Sequence, residues 1–431
     1  MSKKFRIGIA GLGTVGAGVV KILQNSGHDI AARAGREIEI VAVSARNRSR
    51  DRGCDLSSYQ WVDDPLALLD VDDGLDCVVE LIGGADGPAL ALARAALSKG
   101  VSFVTANKAL LAHHGAELAQ LAEEHGAFIG YEGSVAGGIP IIKALREGFA
   151  ANEISAVYGI LNGTCNYILT EMRETGRDFA EVLKDAQDHG YAEADPTFDI
   201  DGIDAAHKLC LLSSLAFGVA PDFDALDITG IRHITATDIS FATELGYRIK
   251  LLGIARTCGG NVMQVVEPCL VPINSTLGVV EGVFNAVLVE GDCIDRGLLV
   301  GRGAGEGPTA SAVLADIIDL ARGHEIPAFG VPHAALKSLP ALDMGQTINS
   351  YYMRLNVVDQ PGVLADVTKI LKELQISIES MIQHGRDPGQ PVHIVLTTHE
   401  ALHRDMLKAC GLIEKLDCVL EKPCLLCVED I

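Results

Sequence analysis

A glycine-rich turn near the N-terminus restricts the fold of this chain more than any other feature of its sequence. The apolar run IGIA is followed by GLGTVG, which has glycines at 11, 13 and 16 and directly precedes the helical pattern AGVVKIL. In this context Gly11 allows a tight turn, Gly13 lets a pyrophosphate approach the backbone, and Gly16 permits close packing. The free N–H groups at the start of the helix, at Thr14 and Val15, attract an anion. The stretch predicts a dinucleotide-binding βαβ unit.

The second predicted strand, EIEIVAVS, bears on the choice of cofactor. An NAD-selective site usually ends this strand with Asp or Glu, which binds the ribose 2′-hydroxyl. Here Ser44 stands at that point, and arginines follow at 46, 48, 50 and 52. NADP is therefore favoured, NAD stays possible, and Arg46 is the expected contact for the 2′-phosphate. A solvated basic loop is the other interpretation of these arginines.

Strands and helices alternate to about residue 133. DCVVELIGG, a helix from about Pro88 to Lys99, VSFVTANK, a helix through Leu121, and AFIGYEGSV follow one another. This alternation predicts a doubly wound parallel sheet, whose ligands collect at the carboxyl ends of the strands. Lys108 of TANKALLA lies at such an end, where its ammonium group can reach the cofactor crevice. A solvated lysine at a helix start is the alternative.

Two further units complete an expected α/β fold. Between residues 134 and 307 strands follow one another with hairpin-like gaps, which predicts an α+β domain with a mixed sheet for substrate binding and dimerisation. The turn GRGAGEGP then offers a second cofactor contact at Gly305. Residues from 308 to about 345 are expected to return to the first, Rossmann-type domain at 1–133.

From residue 350 to 431 the chain restarts with a βαββαβ pattern, which predicts an independent ferredoxin-like module. Its turn DQPGV places the carboxylate of Asp359 and the backbone around Gly362 at a helix start. A carboxylate beside free N–H groups suits a zwitterionic amino acid. A purely structural turn is the alternative.

Composition narrows the class of partner. A chain of 431 residues with 48% hydrophobic content exceeds one core, so two or three domains are expected. The net charge of −22 disfavours nucleic acid and anionic membranes, which would repel such a surface. No stretch reaches the ~18 uninterrupted apolar residues of a membrane span. Eleven cysteines without a disulfide-scaffold spacing, and a start without a secretory signal, predict reduced thiols in the cytoplasm.

An acidic segment precedes the most apolar helix. GYAEADPTFDIDGIDAAHKL contains five carboxylates, and its last acid, Asp204, stands four residues before Lys208. This spacing puts both side chains on one helix face as the helix enters the core. A solvated loop with one surface ion pair is the alternative. A calcium loop starting at Asp195 is disfavoured, because the EF-hand pattern needs Gly and Glu where Ile200 and Ala206 stand.

GLGTVG, ANKALLA, EGSVAGGIPI, GILNGTCNYIL and the acidic segment together resemble homoserine dehydrogenase, and the last unit resembles an ACT domain. The resemblance extends over the whole chain. No aspartate kinase module precedes it, so the single-function form is expected. The resemblance implies reversible, nicotinamide-dependent reduction of L-aspartate 4-semialdehyde to L-homoserine, on the route to threonine, methionine and isoleucine.

The resemblance also implies roles for individual residues. Lys208 resembles the proton donor to the aldehyde oxygen, and Lys108 a second catalytic lysine at substrate and cofactor. Asp204 resembles a catalytic, substrate-binding acid and Glu193 the homoserine ligand, with Asp199 among the carboxylates that hold the substrate ammonium. A lysine beside a developing alkoxide can stabilise or protonate it, while the hydride comes from C4 of the nicotinamide.

Two further sites follow from the resemblance alone. EGSVAGGI resembles the sodium loop of the family, whose ligands are backbone carbonyl groups. The matching residues are Glu132, Val135, Gly137 and Ile139. The ACT resemblance implies an amino-acid effector, with threonine the leading candidate, bound near Asp359 and Gly362. It also implies a homo-oligomer, a dimer or a tetramer.

Two other functional classes stay open at this point. A non-catalytic amino-acid sensor on a dehydrogenase scaffold would have lost Lys108, Glu193, Asp204 or Lys208, and all four are present. An enzyme like aspartate-semialdehyde dehydrogenase would need phosphate and a cysteine nucleophile. Cys165 of NGTCNY is the candidate for that nucleophile, with a packed structural cysteine as the alternative.

Overall fold

The first unit of the fold is a parallel sheet covered by helices. The computed structural model describes residues 3–385 and 388–431. Six strands form this sheet in the order β3-β2-β1-β4-β5-β6, and all five pairs are parallel. The elements are β1 (Phe5–Ala10), α1 (Thr14–Ala34), β2 (Ile38–Ser44), β3 (Gln60–Val62), β4 (Cys77–Glu80), α2 (Pro88–Ser98), β5 (Ser102–Thr105), α3 (Lys108–His125) and β6 (Ile129–Gly130).

The second unit is a mixed sheet with helices on one side. Strands β7 and β9 to β12 form antiparallel pairs, and β8 pairs with β10 in parallel. The elements are α4 (Ile141–Lys143), β7 (Ile154–Ile160), α5 (Gly163–Thr175), α6 (Phe179–Asp188), α7 (Thr197–Ile200), α8 (Ile203–Phe217), β8 (Asp227–Ile228), α9 (Ala236–Glu244), β9 (Tyr247–Cys258), β10 (Asn261–Pro272), β11 (Phe284–Gly291), β12 (Asp295–Arg302) and α10 (Glu306–Arg322).

Helix α10 packs against the first unit. A Cβ atom at Gly18 of α1 would come within 2.8 Å of the Glu306 side chain and 3.1 Å of Ala310. Only glycine therefore lets the two helices approach this closely. Lys21 of α1 also pairs with Glu306 at 2.9 Å. These contacts place the start of α10, and the glycine-rich turn before it, beside the helix that follows the first glycine turn.

The third unit has the expected βαββαβ order. Its sheet order β17-β13-β15-β14 is that of a ferredoxin-like module. The elements are β13 (Ile348–Val358), α11 (Val363–Glu373), β14 (Ile378–Gln383), β15 (Pro391–Thr398), the short β16 (Ala401–Leu402), α12 (His403–Ile413) and β17 (Cys424–Val428). The predicted fold class, a Rossmann-type domain with a mixed-sheet domain and an ACT-like module, is confirmed. The residue limits proposed for the three domains stay predictions.

The third unit joins the sheet of the second unit, which the sequence pattern did not indicate. β17 pairs in parallel with β10, with Cys269 opposite Cys427 and Leu270 opposite Val428, so the sheets of the second and third units form one sheet of eleven strands. Side chains of both units also share one buried cluster, which includes Tyr158. The pairing with β17 gives hydrogen-bond partners to backbone N–H and C=O groups on the edge of β10 that would otherwise lack them.

Among the helices of the described residues, none is both long enough and apolar enough to cross a membrane.

Candidate active site

An ion pair on the first turns of α8 forms the centre of the site. Asp204 and Lys208 are one turn apart on this buried helix, and the Lys208 ammonium donates to Oδ2 of Asp204 at 2.6 Å. The same ammonium donates to the carbonyl oxygen of Leu161 at 2.7 Å. The spacing of four residues therefore produces a buried contact instead of the surface ion pair that was the alternative.

Lys108 brings a second ammonium group from the first unit. It is the first residue of α3, and its Nζ lies 3.1 Å from Oδ1 of Asp204. The preceding residue, Asn107, caps α3 by accepting from the Leu110 N–H, and its side-chain amide donates to the carbonyl oxygen of Gly84. These bonds fix the start of α3 at the carboxyl ends of β4 and β5. The first two units of the fold thus meet at one carboxylate between two lysines.

Asn162 joins the acids of the cluster, and its role was not predicted. Its side-chain amide donates to Asp199 and to Asp204, both at 2.8 Å, while its oxygen caps α5 by accepting from the Cys165 N–H. Thr164 lies 3.4 Å from the other oxygen of Asp199. The motif GILNGTCNYIL contains this residue, but an amide shared by two acids 37 and 42 residues away has no periodic signal in sequence.

The two acids of the cluster have pKa values shifted in opposite directions. Burial alone would raise the pKa of Asp204, but the ammonium groups of Lys208 and Lys108 outweigh it and hold this pKa below its ordinary value. Burial and the neighbouring charge of Asp204 raise the pKa of Asp199. Asp204 is therefore a fixed anion that orients two lysines.

An aromatic wall stands beside Lys108. The ring of Phe198 lies 5.6 Å from the Lys108 ammonium and stacks on His207, whose other face packs against Phe223 at 4.3 Å between ring centres. Burial, with the neighbouring His113 and Lys108, lowers the pKa of His207 to about 4. His207 is therefore neutral near pH 7 and adds no positive charge to the cluster.

Glu193 lies apart from this centre, and Cys165 is buried beside it. Glu193 is exposed, and within the described residues its carboxylate has no hydrogen bond or ion pair with the cluster. Cys165 is buried, with its thiol 3.3 Å from the carbonyl oxygen of Asp199. Burial, together with Asp199 and Asp204, raises its pKa well above the ordinary value. A thiol so rarely ionised is a poor nucleophile.

The glycine turn after β1 has the geometry expected for dinucleotide binding. Gly11 has a φ of +100°, and a Cβ there would lie 2.3 Å from the carbonyl oxygen of Leu81. A Cβ at Gly16 would lie 2.0 Å from the carbonyl oxygen of Gly11, whereas Gly13 faces open space. Thr14 begins α1 without a capping side chain, and Val15 follows, so the first N–H groups of α1 are free to bind an anion.

The segment after β2 carries the predicted arginines. Ser44 ends the strand with a buried side chain and accepts from the Gly11 N–H through its carbonyl group. Arg46, Arg48 and Arg50 are exposed, whereas Arg52 is half-buried. No carboxylate stands at the end of β2. The second glycine-rich turn, at Gly305, caps α10 with a φ of +126° and is exposed near α1.

The predicted sodium loop is buried against the glycine-rich turn. Gly137 donates to the carbonyl oxygen of Gly303, and Ala136 has a φ of +48°. The Glu132 carboxylate accepts from two backbone N–H groups at the start of α4, and burial raises its pKa to about 7. The Ile139 carbonyl accepts from a neighbouring N–H. Among the described residues nothing donates to the carbonyl oxygens of Val135 and Gly137, although both residues are buried.

A cavity of about 280 Å³ lies at the turn between β13 and α11. Asp359 and Gly362 both line it, together with Gln383 and Ile394. Gly362 has a φ of +103° and caps α11 without a side chain. The predicted effector residues therefore border one concave site with a carboxylate and a helix start.

A larger cavity, about 560 Å³, lies at the other end of α8, between Phe217 and the hairpin that joins β9 to β10. Helix α8 has 15 residues. At 1.5 Å per residue this separates the cavity from the charged centre by about 20 Å. The larger cavity therefore lies apart from the charged cluster at Asp204.

Comparison with known families agrees with the division seen in the fold. A model described as "Homoserine dehydrogenase, NAD binding domain" matches residues 11–132, and one described as "Homoserine dehydrogenase" matches residues 140–318. An ACT domain model matches residues 351–416. The first two matches contain Lys108, Asp204 and Lys208.

Individual proteins are similar over the whole length. A homoserine dehydrogenase of Neisseria gonorrhoeae is 45% identical, covering 98% of this chain and 97% of its own. The crystal structure of a homoserine dehydrogenase from Thiobacillus denitrificans is 44% identical, with a TM-score of 0.93 and 99% of both chains covered. A hyperthermophilic archaeal homoserine dehydrogenase in complex with NADPH is 28% identical, with a TM-score of 0.63 over 74% of this chain and 97% of its own. The chain therefore belongs to the homoserine dehydrogenase family, NAD(P)-dependent oxidoreductases that act on a CH–OH group.

Proposed function

We propose that this chain interconverts L-aspartate 4-semialdehyde and L-homoserine in amino-acid biosynthesis, with Lys208 as the proton donor. The observation that carries this proposal is the contact of Lys108, Asp204 and Lys208 at the edge of the parallel sheet that also bears the open glycine turn. Both features follow carboxyl ends of strands, the place where ligands of such sheets bind.

Each side chain of the centre has a distinct task. Lys208 protonates the aldehyde oxygen as negative charge develops there, and Lys108 adds a second positive charge at the substrate. Asp204 keeps both ammonium groups in place and holds them charged. Asp199 and Glu193 bind the substrate ammonium, Glu193 from the exposed segment before α7. The amide of Asn162 fixes the distance between Asp199 and Asp204.

The residues that follow β2 fit NADP(H) better than NAD(H). The bound nicotinamide supplies the hydride in reduction and accepts it in oxidation. Support for the 2′-phosphate comes from the missing carboxylate after β2 and from exposed Arg46, and the archaeal relative was solved with NADPH. Gly13, Thr14 and Val15 would hold the pyrophosphate, and Gly305 is the second proposed contact for the cofactor. NAD(H) is the weaker alternative.

A sodium ion fits the loop between β6 and α4. The carbonyl oxygens of Val135 and Gly137 belong to buried residues and have no donor among the described residues, and a buried carbonyl group needs a partner. Hard cations prefer such oxygen ligands. Glu132 and Ile139 complete the proposed ligand set through their carbonyl oxygens. The ion would brace the loop against the turn at Gly303.

The third unit is proposed to bind threonine and to regulate the enzyme. The cavity at Asp359 and Gly362 offers a carboxylate for the ammonium group and a helix start for the carboxylate of an amino acid. Exposed Phe284 of β11 and Val300 of the edge strand β12 favour a second copy as partner, giving a homodimer, or a tetramer if the exposed edge at β14 also pairs.

A reducing compartment, the cytoplasm, suits the cysteines. All eleven are free thiols, and most of them are buried in the fold. Disulfides are rare in such compartments, where thiols are kept reduced. Neither nucleic acid nor an anionic membrane suits the acidic surface.

One set of rate measurements tests the proposal. Oxidation of L-homoserine is followed with NADP⁺ and with NAD⁺, each with and without threonine and sodium. We expect formation of reduced nicotinamide with L-homoserine, higher affinity for NADP⁺, and inhibition by millimolar threonine. Oxidation of aspartate semialdehyde that requires phosphate, without activity on homoserine, would instead support the neighbouring enzyme class. If threonine does not change the rate of homoserine oxidation, the third unit has a structural role only.

A further inference from the structure

Arg52 joins the basic segment after β2 to the glycine turn. Its Nε donates to the carbonyl oxygen of Leu12 at 3.0 Å, between the first two glycines of the turn. Its terminal nitrogens donate to the carbonyl oxygens of Asn47 and, at 2.7 Å, of Arg50. Two of the five N–H donors of one guanidinium group therefore hold the backbone of residues 46–52, and a third joins that segment to the glycine turn.

Trp61 of β3 supports the same segment from the side. The guanidinium carbons of Arg48 and Arg52 each lie 5.6 Å from the ring centre of Trp61. The indole N–H donates to Asp63 at 3.1 Å, which fixes the ring. Cation–π contacts on an immobile ring favour one orientation of the segment. The exposed Arg46 thus projects from a backbone that is held at both ends.

A lysine at position 52 could not make these contacts. The guanidinium is a planar fork with N–H groups in fixed directions, whereas an ammonium group is a compact charge on a flexible stem. The glycine turn has anchors of its own, since the Gly11 N–H donates to Ser44 at 2.8 Å and the Leu81 N–H to Ala10 at 2.7 Å. Loss of the fork should therefore loosen the basic segment and leave the turn in place.

We propose that Arg52 is the positioning residue for cofactor discrimination, because it fixes the segment that presents Arg46 to the 2′-phosphate of NADP(H). The inference rests on the proposed preference for NADP(H) and adds the means by which the segment is placed. The 2′-phosphate is the chemical difference between the two cofactors. A loosened segment therefore weakens binding of NADPH and spares that of NADH.

The test measures dissociation constants for NADPH and NADH by the fluorescence of the reduced nicotinamide. The variants are Arg52→Lys, Arg52→Gln and Arg46→Ala, with Arg50→Lys as the control because its side chain is exposed and only its carbonyl group is used. We expect both Arg52 variants to bind NADPH roughly tenfold more weakly, the usual loss for one charged hydrogen bond, with NADH changed less than about twofold. The control Arg50→Lys should keep the dissociation constants and the turnover number of wild type.

Three results would overturn the role of Arg52. If Arg52→Lys keeps the preference that Arg52→Gln loses, charge acts instead of the fork. If both cofactors weaken equally, Arg52 supports only the glycine turn. If neither changes, the contacts have no bearing on selectivity. In the double variant Arg46→Ala with Arg52→Lys, the losses should not add, because Arg52 acts through Arg46. Additive losses would contradict this order of action.

The wild-type chain separates the two proposals. Equal affinity for both cofactors in wild type refutes the NADP(H) preference, and the inference about Arg52 falls with it. A wild type that prefers NADPH, together with unaltered Arg52 variants, refutes the role of Arg52 alone.

Discussion

The contacts of Asp204 differ in how far the sequence predicts them. The sequence places this residue one helical turn before Lys208, and that contact was predictable from the spacing. The contact with Lys108 was not, because it joins two units of the fold across 96 residues, and the family resemblance implied only a separate role for each residue. Asn162, which links Asp199 to Asp204, carried no signal at all. Local spacing thus predicted half of the centre, and tertiary packing supplied the rest.

Asp199 tests the substrate side of the centre. In Asp199→Asn we expect the Michaelis constant for homoserine to rise about ten- to hundredfold, because a charged hydrogen bond to the substrate ammonium is lost. The turnover number should change little, since the lysines remain. Asp195→Asn is the matched control, because this exposed acid only accepts from the Thr197 N–H. Equal effects of the two substitutions would contradict the assignment of Asp199.

Glu267 gives a pH-dependent test of the junction between β10 and β17. Burial, and the nearby carboxylates of Glu429 and Asp227, raise its pKa from the ordinary 4.5 to about 7. A raised pKa means that the folded state holds the proton more tightly. Its contribution to stability is therefore complete below about pH 4.5 and is lost as the pH rises through 7.

The corresponding variant is Glu267→Gln, which cannot ionise. Its free energy of unfolding relative to wild type should be higher at about pH 8 than at about pH 4 by up to roughly 3 kcal/mol, at 1.36 kcal/mol per pKa unit. Urea unfolding at both pH values measures this difference. Glu373→Gln, an exposed change in α11, should show no such dependence. If the stability of Glu267→Gln relative to wild type is lower at pH 8 than at pH 4, the direction of the pKa shift is wrong.

At the scale of elements, a buried ion pair ties the third unit to a helix of the second. Arg354 of β13 donates to both oxygens of Asp238 in α9, and Tyr352 donates to the same carboxylate. The partners are 116 residues apart. Strand and helix alternation predicted the parallel sheet and the βαββαβ order, because those patterns are local. Neither the ion pair nor the pairing of β17 with β10 has a local pattern, so both stayed hidden in the sequence.

The ion pair predicts a coupled loss. Arg354→Met leaves the Asp238 carboxylate buried without its cation, and removing one partner of such a pair costs about 3–5 kcal/mol. Adding Asp238→Asn should restore part of that stability, because the stranded charge is removed. Denaturant unfolding of wild type, both single variants and the double variant gives the coupling. If the losses are additive, the two residues do not interact in the way the structure shows.

At the scale of the whole molecule, the third unit is part of one sheet and one core instead of an appended module. Removing it would expose the edge of β10 and the apolar side chains around Tyr158. The proposed effector site at Asp359 and the proposed proton donor Lys208 therefore belong to units joined by a continuous sheet and by α9, which would give regulation a physical route. Such coupling between sites is typically 1–3 kcal/mol.

A truncated chain tests this integration. Deletion of the residues after Leu342 should give a protein that aggregates or unfolds at a lower temperature, not a free-standing dehydrogenase, because β10 loses its partner and the shared core is opened. Asp359→Asn is the matched comparison, and it should keep activity while weakening the response to threonine. Thermal unfolding and light scattering report the outcome. A truncated chain with wild-type stability would contradict the integrated core.

The most direct test of the account is the single-turnover rate of nicotinamide reduction by L-homoserine in Lys208→Ala. Loss of the general acid–base group should lower this rate about a hundredfold or more, with a smaller change in homoserine affinity. Lys184→Ala, an exposed change on α6, serves as the control and should match wild type. Near-normal hydride transfer in Lys208→Ala would show that the centre at Asp204 does not carry the chemistry.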